Sequence, residues 1–411
     1  MSRIHFTDPN SAVRKIRDGS LVIFPQGCAE PSRFYRAFVE EVEQFRQLRV
    51  VSGQQFGGYP FLSRGLQDNF KYSTWHVGSP VRPLVNAGRI SYVPMRYGDI
   101  TRQFANADVV VVHASLPDDN GDVSLGVSVG VTRQLALSAK LVIAEVSDQM
   151  PFTCGDSTLA AEHIDIFIDG GAPPSRWIGR PPGEVSHKIA AMAAELVPEG
   201  ATLQVGIGSV PEAVLDRVRD RSVNIHSGMI TDKIIDFVER TDAKVTTGEV
   251  VGSERLFRFV HRNPAIDVVP SSCTHDLRIL GTLPKFTAIN SALEVDLSGQ
   301  VNAETLAGSV VSGVGGSLEF TLGAGLSPEG AAIVALPSTT DSGQKSRIVP
   351  TLDGNATVTI PRYCVDYVVT EFGVARLAGR TLAERALALI DVAHPGFREA
   401  LAAAGARVRS A

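Results

Sequence analysis

Apolar residues in this chain fall in short β-branched runs, each closed by glycine or proline, and the runs alternate with stretches at helical spacing. Ala12, Val13 and Ile16 give residues 1–18 the pattern of an amphipathic opening helix. Gly19 to Phe24 then reads as a buried strand, Gly27 as a turn, and Pro31 as a place where a helix can begin. The helical pattern runs from Phe34 to Phe45, and Leu48 to Gly53 is the next strand. The order recurs further on. A strand from Gly200 to Val205 leads into a glycine turn (Gly206-Ile-Gly208), then Pro211 and a helix, and Ser222 to Gly228 forms another strand. Val185–Leu196, Leu382–Val392 and the stretch after His394 are helical in pattern. Strands alternating with helices predict an α/β protein with mostly parallel sheets, whose ligands bind beyond the carboxyl ends of strands.

The recurrence extends beyond one unit. Leu116-Pro-Asp-Asp-Asn-Gly121-Asp-Val resembles Val295-Asp-Leu-Ser-Gly299-Gln-Val. Gly121 follows Gly27 by 94 residues, and Gly299 follows Gly208 by 91. His163 to Gly170 pairs in the same way with Cys364 to Gly373. Three matched pairs in one order predict two similar halves. The seam is the Pro- and Gly-rich stretch 170–183, which sets domains at 1–178 and 179–411, with a site expected in the cleft between them.

Composition narrows the class. The 411 residues suit two domains, and 44% hydrophobic with 20% charged is ordinary for a globular chain. A net charge of -5 gives no basic field for nucleic acid or an anionic membrane. No apolar run spans a bilayer and no signal core opens the chain, so a cytoplasmic protein is expected. Cys28, Cys154, Cys273 and Cys364 are widely spaced, which argues for reduced thiols and against a metal site.

The halves differ where chemistry could sit. The run Ile289-Asn-Ser-Ala-Leu-Glu294 ends in a carboxylate five residues before Gly299, where the first half has Leu116. A glycine cluster, Gly313, Gly315 and Gly316, follows it. Glu294 is a candidate nucleophile, and the glycines permit close backbone approach to a ligand. A solvated strand end and a plain turn are the alternatives. Asp296 shares the strand face of Glu294 but suits a turn-stabilising role. Gly206 and Gly208 could cradle a phosphate before a helix, although a lone Gly-x-Gly is a weak signal. Lys345 and Arg347 could meet phosphates or simply be solvated. His226 and His275 suit turns or caps better than catalysis, and Cys28 reads as a small buried residue rather than a nucleophile.

Several of these segments are similar to signatures of the acetyl-CoA hydrolase/transferase family of class I CoA-transferases, which includes the 4-hydroxybutyrate, butyrate and succinate:acetate enzymes. They are Gly27-Cys-Ala-Glu-Pro31, Ser115 to Gly126, Gln204 to Pro211, His226-Ser-Gly-Met, Thr274-His-Asp276, Ile289 to Asn302, Ser312 to Phe320, Lys345 to Pro350, Val365 to Gly373 and Ala393-His-Pro395. The resemblance implies two CoA-transferase-type α/β domains, a homodimer, no permanently bound cofactor, and acyl-CoA and carboxylate as substrates. It implies CoA transfer through an acyl-glutamyl anhydride and a glutamyl-CoA thioester on Glu294, with Gly373 serving the oxyanion pocket. Ile348 and the segment Val269-Pro270-Ser271 are implied along the CoA path. Phe152-Thr-Cys-Gly155 and Thr340 to Lys345 depart from the family's pattern. An acyl-CoA hydrolase and a non-catalytic CoA-binding protein are the alternative readings.

Overall fold

The computed structural model describes residues 5–409. The chain forms two compact units. The first holds Met1–Ile178 and also takes Gly228–Asp232 and Thr246–Thr274. The second holds Gly179–Ser227, Lys233–Val245 and His275–Ala411, so one cut after residue 178 accounts for the chain only as far as residue 227.

The first unit is built on a seven-stranded sheet. Leu21–Ile23 sits in its middle. On one side lie Leu48–Ser52, Phe70–Thr74 and Ser91–Tyr92; on the other lie Val109–Ser115, Val142–Ser147 and Ile166–Asp169. Every neighbouring pair is parallel. Val109–Ser115 and Val142–Ser147 are buried at every position, which is why they read as continuous rather than alternating apolar runs. The helix Ser32–Glu41 buries Phe34, Tyr35, Ala37 and Phe38 against the sheet. Phe24, just past the first strand, packs its ring 5.0–5.7 Å from Phe34, Tyr35, Phe38 and Phe61. The helix start has no cap of its own; Glu145 supplies one, accepting from the backbone N–H of Phe34 at 2.8 Å and of Arg33 at 3.2 Å.

Within the second unit the neighbours run Thr202–Val205, Thr287–Asn290, Ala331–Ala335 and Tyr367–Thr370, all parallel. Gly373–Arg376 returns antiparallel on the last of these. The helix Leu382–Val392 starts at Thr381 with a capping box to Glu384.

The two halves repeat down to single hydrogen bonds. Asp118 Oδ1 accepts from the N–H of Asn120 and Asp122; Asp296 Oδ1 accepts from the N–H of Ser298 and Gln300. The glycines at the matching positions, Gly121 and Gly299, have φ of +90° and +95°, which a side chain would strain. Asp165 Oδ2 accepts from Val142 N–H and Asp366 Oδ2 from Ala332 N–H, at 2.8 and 2.9 Å.

Three expectations shift in detail. The opening helix covers only Pro9–Val13, because Asp8 caps it and Pro9 takes the first turn; residues 1–4 lie outside the described residues. The helix near Pro211 begins two residues earlier, at Ser209. The helix expected to run to Phe45 ends at Glu41 and tightens into a 3₁₀ turn over Val42–Gln44.

Phe24 is 1% exposed amid four rings. Phe24→Ala is expected to cost about 3–5 kcal/mol, read from denaturant unfolding of the first unit. Stability within about 1 kcal/mol of wild type would show that this aromatic cluster does not hold the sheet to its helix.

Candidate active site

The carboxyl ends of adjacent strands in the second unit bring several of the expected residues to one edge. Gly206 and Gly208 follow Val205, Glu294 follows Asn290 by four residues, Ser338 follows Ala335, and Glu371 to Gly373 follow Thr370. These strands neighbour one another in that order. This is the edge where open α/β sheets bind ligands.

Glu294 begins the short strand Glu294–Asp296, which pairs antiparallel with Val301–Asn302 and parallel with Ile348–Val349. Its side chain is half-buried. Asn302 Nδ2 donates to Glu294 Oε2 at 3.3 Å, and the same amide group donates to Thr305 O at 2.7 Å. Asn302 is itself fixed, its Oδ1 accepting from the N–H groups of Glu304 and Thr305. The Glu294 carboxylate is therefore oriented on one oxygen by a rigid amide. Arg347 braces the approach to Glu294: its guanidinium donates to Thr339 O at 3.1 Å and to Ala292 O at 3.4 Å.

The neighbouring carboxylates do structural work. Asp296 accepts from Ser298 and Gln300 on both oxygens and builds the turn at Gly299. Glu371 accepts from Ser338 N–H at 2.9 Å and Ser338 Oγ at 2.6 Å, which locks the turn leading to Gly373. Gly373 has φ of +153°. Gly208 caps the helix Ser209–Val218 with φ of +125° and no side-chain cap.

Gly316 caps the helix Ser317–Leu326, and His275 stands where a Cβ on Gly316 would lie. That glycine is thus required by close packing. Burial, reinforced by His226, lowers the His275 pKa to about 3, and its ring lies 4.6 Å from Phe320. His275 is a neutral packing residue. Gly313 and Gly315 lie in the loop before this helix, with φ of +55° at Gly315. Ile348 points into the hydrophobic core with Val295, Leu297 and Leu336. Lys345 is exposed, and its carbonyl accepts from Thr340 N–H. Val269, Pro270 and Ser271 belong to the first unit and are buried there; Ser271 N–H donates to Gly130 O at 2.8 Å.

One residue of this chemistry has no counterpart among the expected ones. Glu249, in the strand Val245–Val250, is 0% exposed and lies in the first unit. Gln26 Nε2 donates to its Oε1 at 2.8 Å and Tyr97 OH at 3.0 Å. Gln26 Nε2 also contacts Tyr97 OH, and Trp75 Nε1 donates to Gln26 Oε1 at 3.2 Å. Oε2 makes no hydrogen bond; Ser128 faces it without meeting hydrogen-bond geometry but still favours the ionised form. Burial pushes the carboxyl up to about 7, against the opposing pull of Ser128, Gln26 and Tyr97. The signal in the sequence was a single acid inside an apolar β-branched run, Val245-Thr-Thr-Gly-Glu-Val-Val251.

Folded, Glu249 keeps its proton to about pH 7; unfolded, it loses it near 4.5, as an ordinary glutamate does. Between those values the unfolded chain binds fewer protons, so stability falls as pH rises, by about 3 kcal/mol in all. Glu249→Gln is expected to abolish that slope, so its melting temperature relative to wild type should rise between pH 5 and pH 8. Parallel pH profiles for the two proteins would remove the burial argument.

Residues 4–173 match the acetyl-CoA hydrolase/transferase N-terminal domain, and residues 252–405 match the C-terminal domain of the same family. The 4-hydroxybutyrate coenzyme A transferase of Clostridium kluyveri is 38% identical, over 95% of this chain and 94% of that protein. The succinyl-CoA:acetate/propanoyl-CoA:succinate CoA transferase of Fasciola hepatica is 34% identical, over 94% of this chain and 84% of its own. The crystal structure of 4-hydroxybutyrate CoA-transferase from Porphyromonas gingivalis superposes with a TM-score of 0.84 at 31% identity, covering 98% of this chain and 97% of that one. With both domains matched in order and relatives aligned along nearly the whole length, the chain belongs to the acetyl-CoA hydrolase/transferase family.

Proposed function

We propose that this protein transfers CoA between a short-chain acyl-CoA and a carboxylic acid such as acetate, butyrate or 4-hydroxybutyrate, by way of a glutamyl intermediate on Glu294. The observation that carries the reading is the chain-long match to enzymes named for CoA transfer. The half-buried Glu294, oriented by Asn302 at the carboxyl edge of its sheet, supports the residue assignment.

The relay balances without redox change or net proton transfer. A Glu294 oxygen attacks the thioester carbonyl, the C–S bond breaks, and CoA leaves as thiolate. The product is an acyl-glutamyl anhydride. The thiolate then attacks the glutamyl carbonyl, and the acyl group leaves as a carboxylate. An acceptor carboxylate runs the two steps backwards. Splitting the exchange keeps the thioester energy in the enzyme-bound intermediate. Each tetrahedral intermediate carries an oxyanion, and a backbone N–H at the Gly373 turn would stabilise it by roughly 3–4 kcal/mol. The glycine turns at Gly206–Gly208 and Gly313–Gly315 are assigned to CoA, because missing side chains let phosphates or the pantetheine arm approach the backbone, while at the adjoining Gly316 the space is taken by His275. Lys345, which is exposed, is assigned to CoA phosphate.

Hydrolysis is the second reading. The partial exposure of Glu294 admits water to the anhydride, which would release the acid instead of passing it on.

With butyryl-CoA and acetate, acetyl-CoA is expected to accumulate at least tenfold faster than free thiol appears without acetate. Equal thiol release with and without acceptor would establish the hydrolase instead. Glu294→Gln is expected to lower turnover by about 10³-fold or more, as loss of a covalent nucleophile does. Wild-type turnover in that variant would move the glutamyl adduct to another residue, which mass spectrometry after acyl-CoA incubation identifies.

A further inference from the structure

The strand order of the first unit reverses at one place. From Leu21–Ile23, the strands up to Ser91–Tyr92 step to one side, and those from Val109–Ser115 onward step to the other. The carboxyl ends of the two strands at such a switch point form the crevice in which open α/β sheets hold their ligands. The loop leaving Ile23 carries Gln26 and Gly27, and the connection after Ser115 carries Ser128 and Gly130. Glu249 sits among these four residues. It bridges in antiparallel register to Ser128, and Gln26 holds its Oε1. A Cβ on Gly27 would stand 2.9 Å from Oε2, and one on Gly130 would crowd Oε1 and Tyr97 OH. Both walls of the crevice therefore dispense with side chains where they meet this carboxyl.

Buried polar atoms are nearly always hydrogen-bonded, and one that is not calls for an explanation. Here Oε1 receives two donors and Oε2 receives none. That asymmetry directs a bound proton to Oε2. The titratable groups facing Glu249 are Tyr97 and Cys28, and burial holds both in their protonated forms. No cation contributes to the balance at the carboxyl among the described residues. A protonated Oε2 is a hydrogen-bond donor that forms no hydrogen bond, with the Ser128 hydroxyl facing it, at the place where the fold puts its ligand.

We propose that Glu249 is a substrate-recognition residue of the first unit, whose Oε2–H donates a hydrogen bond to the carboxylate of a small carboxylic acid bound in the switch-point crevice. The inference rests on the CoA-transfer reading for the class of substrate, and the crevice itself is independent of that reading. Nothing covalent changes: one proton is shared between two carboxyl groups. Entry requires the Gly27 turn to give way, since Glu249 is fully buried. When Glu249 ionises, the donor becomes a like charge and binding weakens.

The test uses the full chain. Trp75 touches the same network through Gln26, and the sequence has only one other tryptophan, Trp177. In Trp177→Phe protein, Trp75 emission is followed while sodium acetate is added at fixed ionic strength, from pH 6 to pH 8.5. A saturable change is expected, with the dissociation constant rising about tenfold per pH unit above pH 7. In Trp177→Phe/Glu249→Gln protein, where an amide N–H₂ replaces the titrating donor, binding should persist and lose its pH dependence. The proposal is overturned if acetate gives no saturable change at any pH. It is equally overturned if the variant keeps the wild-type pH dependence, or if an acyl or CoA adduct maps to Glu249, which would make that residue the nucleophile. The wild-type titration alone decides the matter should the variant fail to fold. Butyryl-CoA:acetate exchange on the same preparations separates the two readings: exchange without the acetate titration overturns only the Glu249 assignment, and titration without exchange overturns only the CoA-transfer reading.

Discussion

Backbone N–H groups exposed where parallel strands end must find acceptors away from water, and carboxylates meet that demand throughout this fold. Glu145 caps the helix Ser32–Glu41 from a neighbouring strand. Asp165 and Asp366 hold an N–H near the start of the adjoining strand in their respective sheets. Asp118 and Asp296 each build a turn around a glycine of positive φ, and Glu371 ties Ser338 to the turn before Gly373. These acids hold the turns and strand edges around them in place. An acid left with spare capacity therefore stands out, as Glu294 does with one long hydrogen bond and Glu249 with an unbonded oxygen.

The two differ in a way that bears on chemistry. Glu294 lies on a small sheet beside the main one, half-buried, and is oriented by a single amide. Glu249 lies in the interior, held by two donors on one oxygen, with its proton retained up to about neutrality. A carboxylate that must attack carbon needs its charge; a carboxyl that must recognise another carboxylate needs its proton. Burial gives Glu249 the proton that such recognition requires.

Much of the architecture was legible because period, glycine and proline are local signals. The runs at Leu21, Leu48 and Thr202 became strands, and the glycine turns after Ile23 and Val205 are where the pattern set them. The halves matched by residue pattern share hydrogen bonds at Asp118 and Asp296 that no pattern could display. Side-chain depth was less legible. Ile348, expected along the CoA path, points into the core, because its strand pairs with Val295 in the register that turns it inward. Glu249 was missed because its partners, Gln26 and Tyr97, lie 223 and 152 residues away in sequence. Only tertiary structure brings such groups together, and a solitary acid in a strand does not announce them.

The assignment of Thr246–Thr274 to the first unit has a consequence for biosynthesis. A chain emerging from the ribosome exposes residues 1–178 long before it exposes Glu249. Until then Gln26 and Tyr97 lack the acid that joins them, and Ser128 lacks its bridge partner. Meanwhile Gly179–Ser227, which belongs to the second unit, has already been made. Vectorial folding, in which an N-terminal domain completes itself first, is thus closed to this protein. Its nascent first half must wait, incomplete, for a segment translated after the second half has begun.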